Sequence, residues 1–396
     1  MTEEFASSEE TDKTNSVNNR YLSRGVSASK KEVHDAISSL DPGLYPNAFC
    51  KILPDYLTED PTRCCIMHSD GAGTKSLLAY LHYREFGDPS IFRGIAIDSL
   101  VMNIDDLACV GGYKNILISS ALNRNPRRIP GEVLKELIEG TEAFLQQMRE
   151  WGIAIHNSGG ETADVPDLTP TLTVDSSAVA LNKREDLINS GNICPGLSII
   201  GLASDGQAYW EETPNSGIGS NGLTSARHDL LAPYYRTTYP ETYATDTDPE
   251  LCYCGPYRLE DKLPGSDFSV GNALLSPTRT YVPLLLPLLN EHRNKMNGLI
   301  HCSGGGQTKC LKFGKGVHFV KNKLFSPPPV FREIQRCSGT SWKEMYQVYN
   351  MGHRMEIYCA PEHEDTVLKL ANEKGVSAAV IGHTETSQRA DRQNHL

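Results

Sequence analysis

The sequence lacks a hydrophobic run long enough to cross a membrane. Its longest dense apolar run, from Tyr281 to Leu289, has about half the length that a transmembrane helix requires, and Pro283 and Pro287 interrupt it. Residues 1–20 also lack the basic start and the apolar stretch of a secretory signal. We therefore expect a cytoplasmic protein that has no membrane partner.

Basic charge is also scarce. The chain has 38 lysines and arginines against 49 aspartates and glutamates, which gives a formal charge of −11. Its only dense basic run, from Arg124 to Arg128, contains three arginines. Because a negative protein repels the phosphate backbone, we expect no nucleic-acid partner.

CxxC motifs are absent, although the chain has 11 cysteines. Neither the adjacent pair Cys64 and Cys65 nor the CxC pair Cys252 and Cys254 has the spacing of a zinc site. Most cysteines lie in apolar stretches, where a free thiol behaves as a small hydrophobic side chain. We expect structural thiols in a reducing compartment.

Length and alternation are the features that the chain does have. With 396 residues, 39% of them apolar and 22% charged, it is long enough for two or three domains and a large core. From about residue 63, short apolar runs alternate with amphipathic stretches, which predicts an α/β (α+β) fold with mixed sheets. Residues 1–20 are polar and predict a disordered tail. We place an N-terminal domain at 21–186 and a C-terminal domain at 187–390.

The clearest helix is predicted over residues 131–151. Pro130 and Gly152 supply its start and stop signals. Its apolar side chains recur at helical spacing on one face, namely Leu134, Leu137, Ile138, Leu145 and Met148. We expect this face to pack on a sheet.

A tyrosine-rich segment, residues 232–270, has no clear period. Its tyrosines stand among proline, threonine and acidic residues. Two interpretations stay open, because such a segment is either an insert on the surface or a lid over the active site.

A short glycine-rich motif, SDGAGTK, predicts a phosphate site between a strand and a helix. It contributes Asp70, Gly71, Gly73, Thr74 and Lys75. Glycines let backbone N–H groups approach phosphate oxygens, and a lysine neutralises their charge. A carboxylate would repel a bare phosphate, so we interpret Asp70 as a ligand of Mg²⁺. The spacing is not that of a Walker loop, and a plain glycine turn is the alternative.

Further acids lie in apolar surroundings. Asp98, Asp105 and Asp106 occur in the apolar stretch IAIDSLVMNIDDLACVGG, where a buried carboxylate is costly unless it is paired or metal-bound. Asp98 and Asp105 share a helix face, while Asp106 is rotated by about 100°. After another strand, SGGETAD supplies Gly160 and Glu161. Such acids could bind more than one Mg²⁺; the alternatives are the solvent side of a helix and a simple turn.

Two loops in the second half of the chain are further candidate binding or catalytic sites. GIGSNGLTSARH contains Ser220, Asn221 and Gly222 ahead of a predicted helix and suits an anion, with a simple helix cap as the alternative. HCSGGGQTK begins with His301, which is a candidate acid, base or orienting group. A lone histidine is more often structural, so the residue type alone does not decide.

In combination these motifs resemble the aminoimidazole ribonucleotide (AIR) synthetase family, the phosphoribosylformylglycinamidine cyclo-ligases of purine biosynthesis. SDGAGTK corresponds to the family's TDGVGTK, NIDDLACVGG to its NDL segment, SGGETADVPD to GGETAEMPG, and HCSGGG to HITGGG. Four further segments match in the same order, namely SNG, LLSPTRTY, PPPVFREIQ and YNMGHRM. The resemblance extends from about Tyr21 to Gly382.

The resemblance implies a two-domain fold whose N-terminal sheet forms a β-barrel across a homodimer, with ATP and Mg²⁺ bound near that interface. It also implies ATP-dependent ring closure of formylglycinamidine ribonucleotide to AIR, with ADP and phosphate as products, through an iminophosphate. The implied roles are catalysis by Lys75, Asp106 and His301, Mg²⁺ binding by Asp70, Asp106 and Glu161, ATP binding by Asp70, Gly71, Gly73, Thr74, Gly160 and Glu161, and binding of the substrate's phosphate by Ser220, Asn221 and Gly222.

The chain departs from the family in three places. The family often has a histidine immediately before Ser-Asn-Gly, where this chain has Gly219, so the role of that histidine does not transfer. The glycine-rich stretch before the first strand is reduced to Pro42 and Gly43, and segments 205–217 and 232–270 are longer than usual. Two alternative functions stay open, namely another ATP-dependent phosphoryl transfer of the same superfamily and a nucleotide-binding dimer without catalysis.

Overall fold

The structure, a computed structural model, describes residues 20–27, 30–389 and 393–396, except for the side chains of Lys31 and His34. It has the predicted mixed α/β architecture, built around two five-stranded sheets. The predicted tail, residues 1–20, lies outside the described residues except for Arg20, which begins a helix and pairs with Asp229. Within the described ranges, no helix has the length and apolarity needed to span a bilayer.

The first sheet comes from the N-terminal half of the chain. Its strands are β1 (Ile52–Pro54), β2 (Arg63–Gly71), β3 (Ile116–Arg124), β4 (Ile155–Asp164) and β5 (Leu172–Lys183). They lie in the order β1-β2-β5-β3-β4, with β3 and β4 parallel and the other neighbours antiparallel. The helices of this half are α1 (Arg20–Ser23), α2 (Lys31–Ile37), α3 (Lys75–Phe86), α4 (Phe92–Ala108) and α5 (Gly131–Glu150).

The second sheet is antiparallel throughout. Its strands are β6 (Ser198–Ala203), β9 (Met296–His301), β10 (Val317–Val320), β11 (His353–Cys359) and β12 (Ala378–Thr386), in the order β10-β12-β6-β11-β9. A small ribbon pairs β7 (Asp205–Gly206) with β8 (Asn215–Ser216). The helices are α6 (Leu223–Leu230), α7 (Pro233–Thr238), α8 (Val270–Leu275), α9 (Val282–Glu291), α10 (Pro329–Ser338), α11 (Trp342–Val348) and α12 (Glu364–Glu373).

One hydrophobic core joins the two halves. Helix α4 lies on the first sheet, and its Leu100 and Ile104 belong to the same cluster as Leu202 of β6 and Tyr281. The helix is buried along most of its length, which explains why its sequence is apolar on all sides. Its three carboxylates, Asp98, Asp105 and Asp106, face protein rather than solvent, and the candidate site is built on them. The boundary that we predicted near residue 186 stays a prediction.

Helix α5 confirms the prediction for residues 131–151 with one correction. Leu137 and Met148 are buried as expected. Ile138, which we placed on the same face, is 54% exposed. Because it is rotated about 100° from Leu137, it lies beyond the edge of the buried face.

The tyrosine-rich segment 232–270 is not a surface insert, so that interpretation is wrong. Tyr235 and Tyr253 are 0% exposed and belong to the second hydrophobic cluster. Glu85 on α3 accepts a hydrogen bond from the Tyr239 hydroxyl group at 2.7 Å. The segment thus packs the C-terminal half against α3, which a polarity pattern without a period did not reveal. Its interpretation as a lid stays a prediction.

Tyr253→Phe tests the contribution of this segment to stability. The Tyr253 hydroxyl group donates to Thr242 Oγ1 at 2.8 Å and accepts from Arg227 Nη1 at 2.5 Å. Since the substitution removes a hydrogen bond from each of two buried partners, one of them charged, we expect the free energy of unfolding in urea to fall by about 1–3 kcal/mol. Tyr209→Phe, at a residue that is 77% exposed, is the control and should change nothing. Equal stabilities of the two variants would contradict a structural role for the segment.

Candidate active site

Two glycine-containing loops, one from each half of the chain, meet at the candidate site. The first connects β2 to α3, and the second precedes α6. Thr74 Oγ1 lies 3.0 Å from Thr224 Oγ1, and Lys75 Nζ donates to the Gly219 carbonyl at 3.2 Å. The fold therefore brings together two motifs that the sequence separates by 144 positions.

Lys75 is fully buried, and its ammonium group makes three hydrogen bonds. Nζ donates to Asp98 Oδ1 at 2.9 Å and to the carbonyls of Gly219 and Ser276 at 3.2 and 2.5 Å. Burial lowers the pKa of Lys75, and the charge of Asp98 opposes that effect. In this geometry the lysine connects the two halves and its charge is compensated. The catalytic role that we assigned to it stays a prediction.

Asp98 is the polar centre of the contact between the halves. Besides Lys75, its Oδ1 atom accepts from Thr278 N and Thr278 Oγ1 at 2.7 and 2.6 Å and from Ser220 Oγ at 3.1 Å. Its Oδ2 atom is buried and has no hydrogen-bond partner in the described part of the chain. One carboxylate thus touches the lysine, the second loop and the segment that follows α8.

Asp98 and Asp105 lie on one face of α4, as their spacing predicted, and both are 0% exposed. Asp105 accepts from Thr280 Oγ1 at 2.6 Å and from Tyr281 N at 3.0 Å. Burial raises the pKa of Asp105 to about 7, although these hydrogen bonds and the charge of Arg354 act in the opposite direction. The alternative that these acids mark the solvent side of the helix is therefore wrong.

Asp106, on another side of α4, forms a buried pair with His301. Asp106 Oδ1 lies 2.6 Å from His301 Nδ1, and Oδ2 lies 3.3 Å from His68 Nε2. Burial lowers the pKa of His301 to about 4 against the effect of Asp106, so the ring is neutral at pH 7. Burial would raise the pKa of Asp106, but Lys309 and the two histidines lower it to about 2.

The tautomer of His301 follows from this pair. A neutral ring has one N–H, and the carboxylate of Asp106 accepts it from Nδ1. The lone pair then lies on Nε2, which is buried and bonds to no described residue. His301 thus presents an oriented acceptor nitrogen, the geometry that a general base requires.

The first loop has the features of a phosphate site. The Asp70 side chain is exposed, and its Oδ1 atom accepts from Gly71 N at 2.7 Å. A Cβ atom on Gly71 would lie 1.9 Å from Asp175 Oδ1, so only glycine fits beside β5. The backbone N–H groups of Gly73 and Thr74 have no acceptor among residues 20–27, 30–389 and 393–396. These donors are free for an anion.

Gly160 and Glu161 lie on β4, the edge strand of the first sheet. A Cβ atom on Gly160 would lie 2.1 Å from the Ser120 carbonyl oxygen, and both residues line a cavity of 170 Å³ against α5. In the described part of this single chain, Asp70, Asp106 and Glu161 do not form a group whose ligand atoms lie within 4.8 Å of one another. Their joint binding of Mg²⁺ stays a prediction.

The second loop offers unpaired polar groups at the start of α6. No described residue accepts a hydrogen bond from the backbone N–H groups of Ser220, Asn221 or Gly222. Asn221 Oδ1 is buried and likewise has no partner within the described ranges. A Cβ atom on Gly304 would lie 3.9 Å from Asn221 Nδ2, which places the triple-glycine loop beside this one. An anion fits such a cluster of donors.

A second polar cluster, in the second sheet, does not need a metal ion. Cys302, His353 and Glu356 offer three ligand atoms within 4.8 Å of one another. Lys321 Nζ lies 2.5 Å from Glu356 Oε1, and the Tyr358 hydroxyl group donates to Oε2 at 2.6 Å. The pKa of Glu356 falls to about 2, because Lys321 and His353 together outweigh the effect of burial. The lysine supplies the positive charge that a metal would bring.

Two site residues, His68 and Arg354, were missed in the sequence. His68 Nδ1 lies 2.9 Å from Asn103 Oδ1, and this contact orients His68 towards Asp106. His68 directly precedes SDGAGTK, so its position beside that motif was an available signal. Arg354 occurs in YNMGHRM, which we matched only as a motif, and it is 2% exposed beside the second loop. Its placement depends on the pairing of β11 with β9, which the sequence does not display.

Comparison with known proteins identifies two matching family models. The model described as AIR synthase related protein, N-terminal domain, matches residues 52–181, and the corresponding C-terminal model matches residues 195–393. The phosphoribosylformylglycinamidine cyclo-ligase of Methanothermobacter thermautotrophicus is 30% identical over 309 residues, 78% of this chain and 77% of the relative. That of Pyrococcus furiosus is 31% identical over 307 residues, 77% of this chain and 74% of the relative.

Solved structures agree on the fold. Thiamine monophosphate kinase from Aquifex aeolicus has a TM-score of 0.52 at 11% identity, covering 90% of this chain and 93% of that one. Thermotoga maritima PurL complexed with ADP has a TM-score of 0.51 at 13% identity, covering 96% of this chain and 50% of that one. At such identities the likeness concerns architecture alone.

Asp105→Asn tests the buried carboxyl group. Because its pKa is raised from 3.8 to about 7, the protonated group contributes stability that is present below pH 3.8 and lost as the pH rises through about 7. The amide cannot ionise, so the melting temperature of the variant should rise relative to the parent protein between about pH 4 and 7. Differential scanning calorimetry without added metal measures this. Parallel curves for the two proteins over that range would show that Asp105 does not titrate as described.

Proposed function

Since the chain belongs to the AIR synthase related family, we propose that it catalyses the ATP-dependent ring closure of formylglycinamidine ribonucleotide to AIR in purine biosynthesis. The proposal rests on the relatives' shared activity and on one structural observation, the oriented His301 of the Asp106 pair between two loops with unpaired donors.

The reaction needs an oxygen to become a good leaving group. The γ-phosphoryl group of ATP passes to the formyl oxygen while the formamide nitrogen loses its proton, and this step gives ADP and an iminophosphate. A substrate nitrogen then attacks the activated carbon, the bond to phosphate breaks, and one proton leaves the attacking nitrogen. The protein must therefore bind two phosphate-bearing ligands side by side and accept a proton.

Residues of the first loop fit a nucleotide with Mg²⁺. The exposed Asp70 carboxylate is a hard oxygen ligand, and the unpaired N–H groups of Gly73 and Thr74 are donors for phosphate oxygens. We propose that Asp70, with Asp106 and Glu161, holds Mg²⁺, which would neutralise phosphate charge. The N–H groups of Ser220, Asn221 and Gly222 fit the phosphate of the second ligand.

His301 fits the proton acceptor. Its Nε2 lone pair is the free acceptor of the pair, and the resulting imidazolium would be stabilised by Asp106, which lies 2.6 Å from Nδ1. His68 contacts the other carboxylate oxygen and so fixes the plane of Asp106. In this arrangement Asp106 orients the ring of His301 and stabilises its protonated form, besides its proposed role as a ligand of Mg²⁺.

The deciding experiment follows AIR formation by the purified protein with ATP, Mg²⁺ and formylglycinamidine ribonucleotide. We expect turnover that requires all three. Asp106→Asn is the variant that tests the role of the pair, since the amide is nearly isosteric and its Oδ1 can still accept a hydrogen bond from His301. It should keep the parent melting temperature within a few degrees and lose about 10²–10⁴-fold in kcat, because the charge that favours proton acceptance is gone.

The other outcomes separate the alternatives. Nucleotide binding without turnover of any phosphoryl acceptor would favour the non-catalytic dimer. ADP release with another acceptor, such as thiamine monophosphate, and without AIR would favour a different member of the superfamily. Full activity of Asp106→Asn would exclude the proposed role of the pair.

We also propose a homodimer in which the open faces of two first sheets meet. Met67 and Leu117 on that face are 62% and 51% exposed, and Val179 lies between them in the strand register. Such an apolar row favours a covered surface. Sedimentation at micromolar concentration should show a dimer, and Met67→Lys with Leu117→Lys should shift it to monomer, whereas Phe86→Lys on α3 should not. A stable monomer of the unchanged chain would contradict this.

A further inference from the structure

A buried arginine at the junction of the two halves has no carboxylate in direct contact among the described residues; the charge of Asp105 acts on it only from a distance. Arg354 on β11 is 2% exposed, and no carboxylate oxygen of the described residues lies within 4.0 Å of its guanidinium nitrogens. Nη2 donates to the Arg279 carbonyl, while Nε is buried without a partner in the part of the chain that is described. Burying a guanidinium group without a carboxylate in contact costs free energy.

The guanidinium group lies against the second loop. A Cβ atom on Gly219 would lie 2.8 Å from Arg354 Nη1, so the arginine fills the space that a side chain at residue 219 would need. Gly219 itself has a φ of 69°, in the left-handed region that glycine adopts freely. The buried position of Arg354 thus requires a residue without a side chain at position 219.

The same position is close to the candidate base. Cys302 N donates to the Arg354 carbonyl at 2.7 Å across the pairing of β9 with β11, which puts Arg354 beside His301. Lys75, the other buried cation here, already has Asp98 at 2.9 Å. Of these two cations, Lys75 has a carboxylate in contact and Arg354 has none among the described residues.

We propose that Arg354 binds phosphoryl oxygens of a ligand at this junction. The assignment rests on the proposed function for the identity of the ligands. A guanidinium group pairs with phosphate through parallel hydrogen bonds. The N–H groups of Ser220 and Asn221, which no described residue accepts, lie on the adjoining loop and would share the anion.

Isothermal titration calorimetry on the full chain tests this with Arg354→Met. Three probes distinguish the phosphate: ribose 5-phosphate, a non-hydrolysable ATP analogue with Mg²⁺, and ADP with Mg²⁺. We expect affinity for a phosphate probe to fall roughly 10- to 100-fold, the range for a lost hydrogen bond to a charged group. A loss with ribose 5-phosphate assigns Arg354 to the substrate's phosphate, and a loss with the ATP analogue but not with ADP assigns it to the γ-phosphoryl group.

Arg227→Met is the matched control. Arg227 is also a buried arginine, 3% exposed, and its Nε likewise has no partner among the described residues. Its Nη1 atom donates to the Thr242 carbonyl and the Tyr253 hydroxyl oxygen, so its guanidinium group lies in the tyrosine-rich core. It should lower the melting temperature and leave all three affinities unchanged. Arg354→Lys, which keeps the charge, should retain more affinity than Arg354→Met and serves as the readout if the methionine variant does not fold.

The outcomes separate this inference from the proposed function. Affinities for all three probes that stay within twofold of the parent protein in folded Arg354→Met, or in Arg354→Lys if only that variant folds, would overturn the role of Arg354 even if AIR is formed. Conversely, Arg354-dependent phosphate binding by a protein that makes no AIR would support the anion site and overturn the ring-closure activity.

Discussion

The ion pair between Lys75 and Asp98 is the interaction on which the rest of the site depends. Asp98 lies on α4 and accepts from the lysine of the first loop, from Ser220 of the second loop, and from Thr278 after α8. Removing one member of a fully buried pair leaves an uncompensated charge, which costs several kcal/mol, about 3–5. One carboxylate therefore links three segments of the two halves, which the hydrophobic clusters also join.

The burial of α4 explains why the site lies between the halves. A helix that is apolar on all sides must be covered on all sides, and the second half of the chain supplies the cover. Each of the three buried carboxylates on this helix needs a partner, and each is stabilised in a different way. Asp98 has a lysine, Asp105 takes a raised pKa with neutral donors, and Asp106 has two histidines. Only the last solution leaves an oriented, unpaired nitrogen for chemistry.

The sequence predicted the features that depend on neighbouring residues, and it did not predict those that depend on contacts between distant segments. The strands, the helix over residues 131–151 and the glycine loops follow from period and turn chemistry, so they were predictable. The shared face of Asp98 and Asp105 was equally local. The tyrosine-rich core was not, because its burial depends on α3, far away in the chain. The place of Arg354 in the site was not predictable either, because Arg354 comes to lie beside Gly219 only when β11 pairs with β9.

The formal charge of −11 says little about whether the junction of the two halves can attract an anion. Exposed charges act over about a Debye length, roughly 8 Å at physiological salt, so the local field at the junction is set by its own groups. Two buried cations lie there, and Asp98 neutralises one of them. The guanidinium group of Arg354 has no carboxylate in contact among the described residues, and it lies beside the unpaired backbone N–H groups of the second loop. The net charge of the chain therefore does not decide whether this junction attracts an anion, because the carboxylates of α4 already have a lysine, histidines or neutral donors as partners.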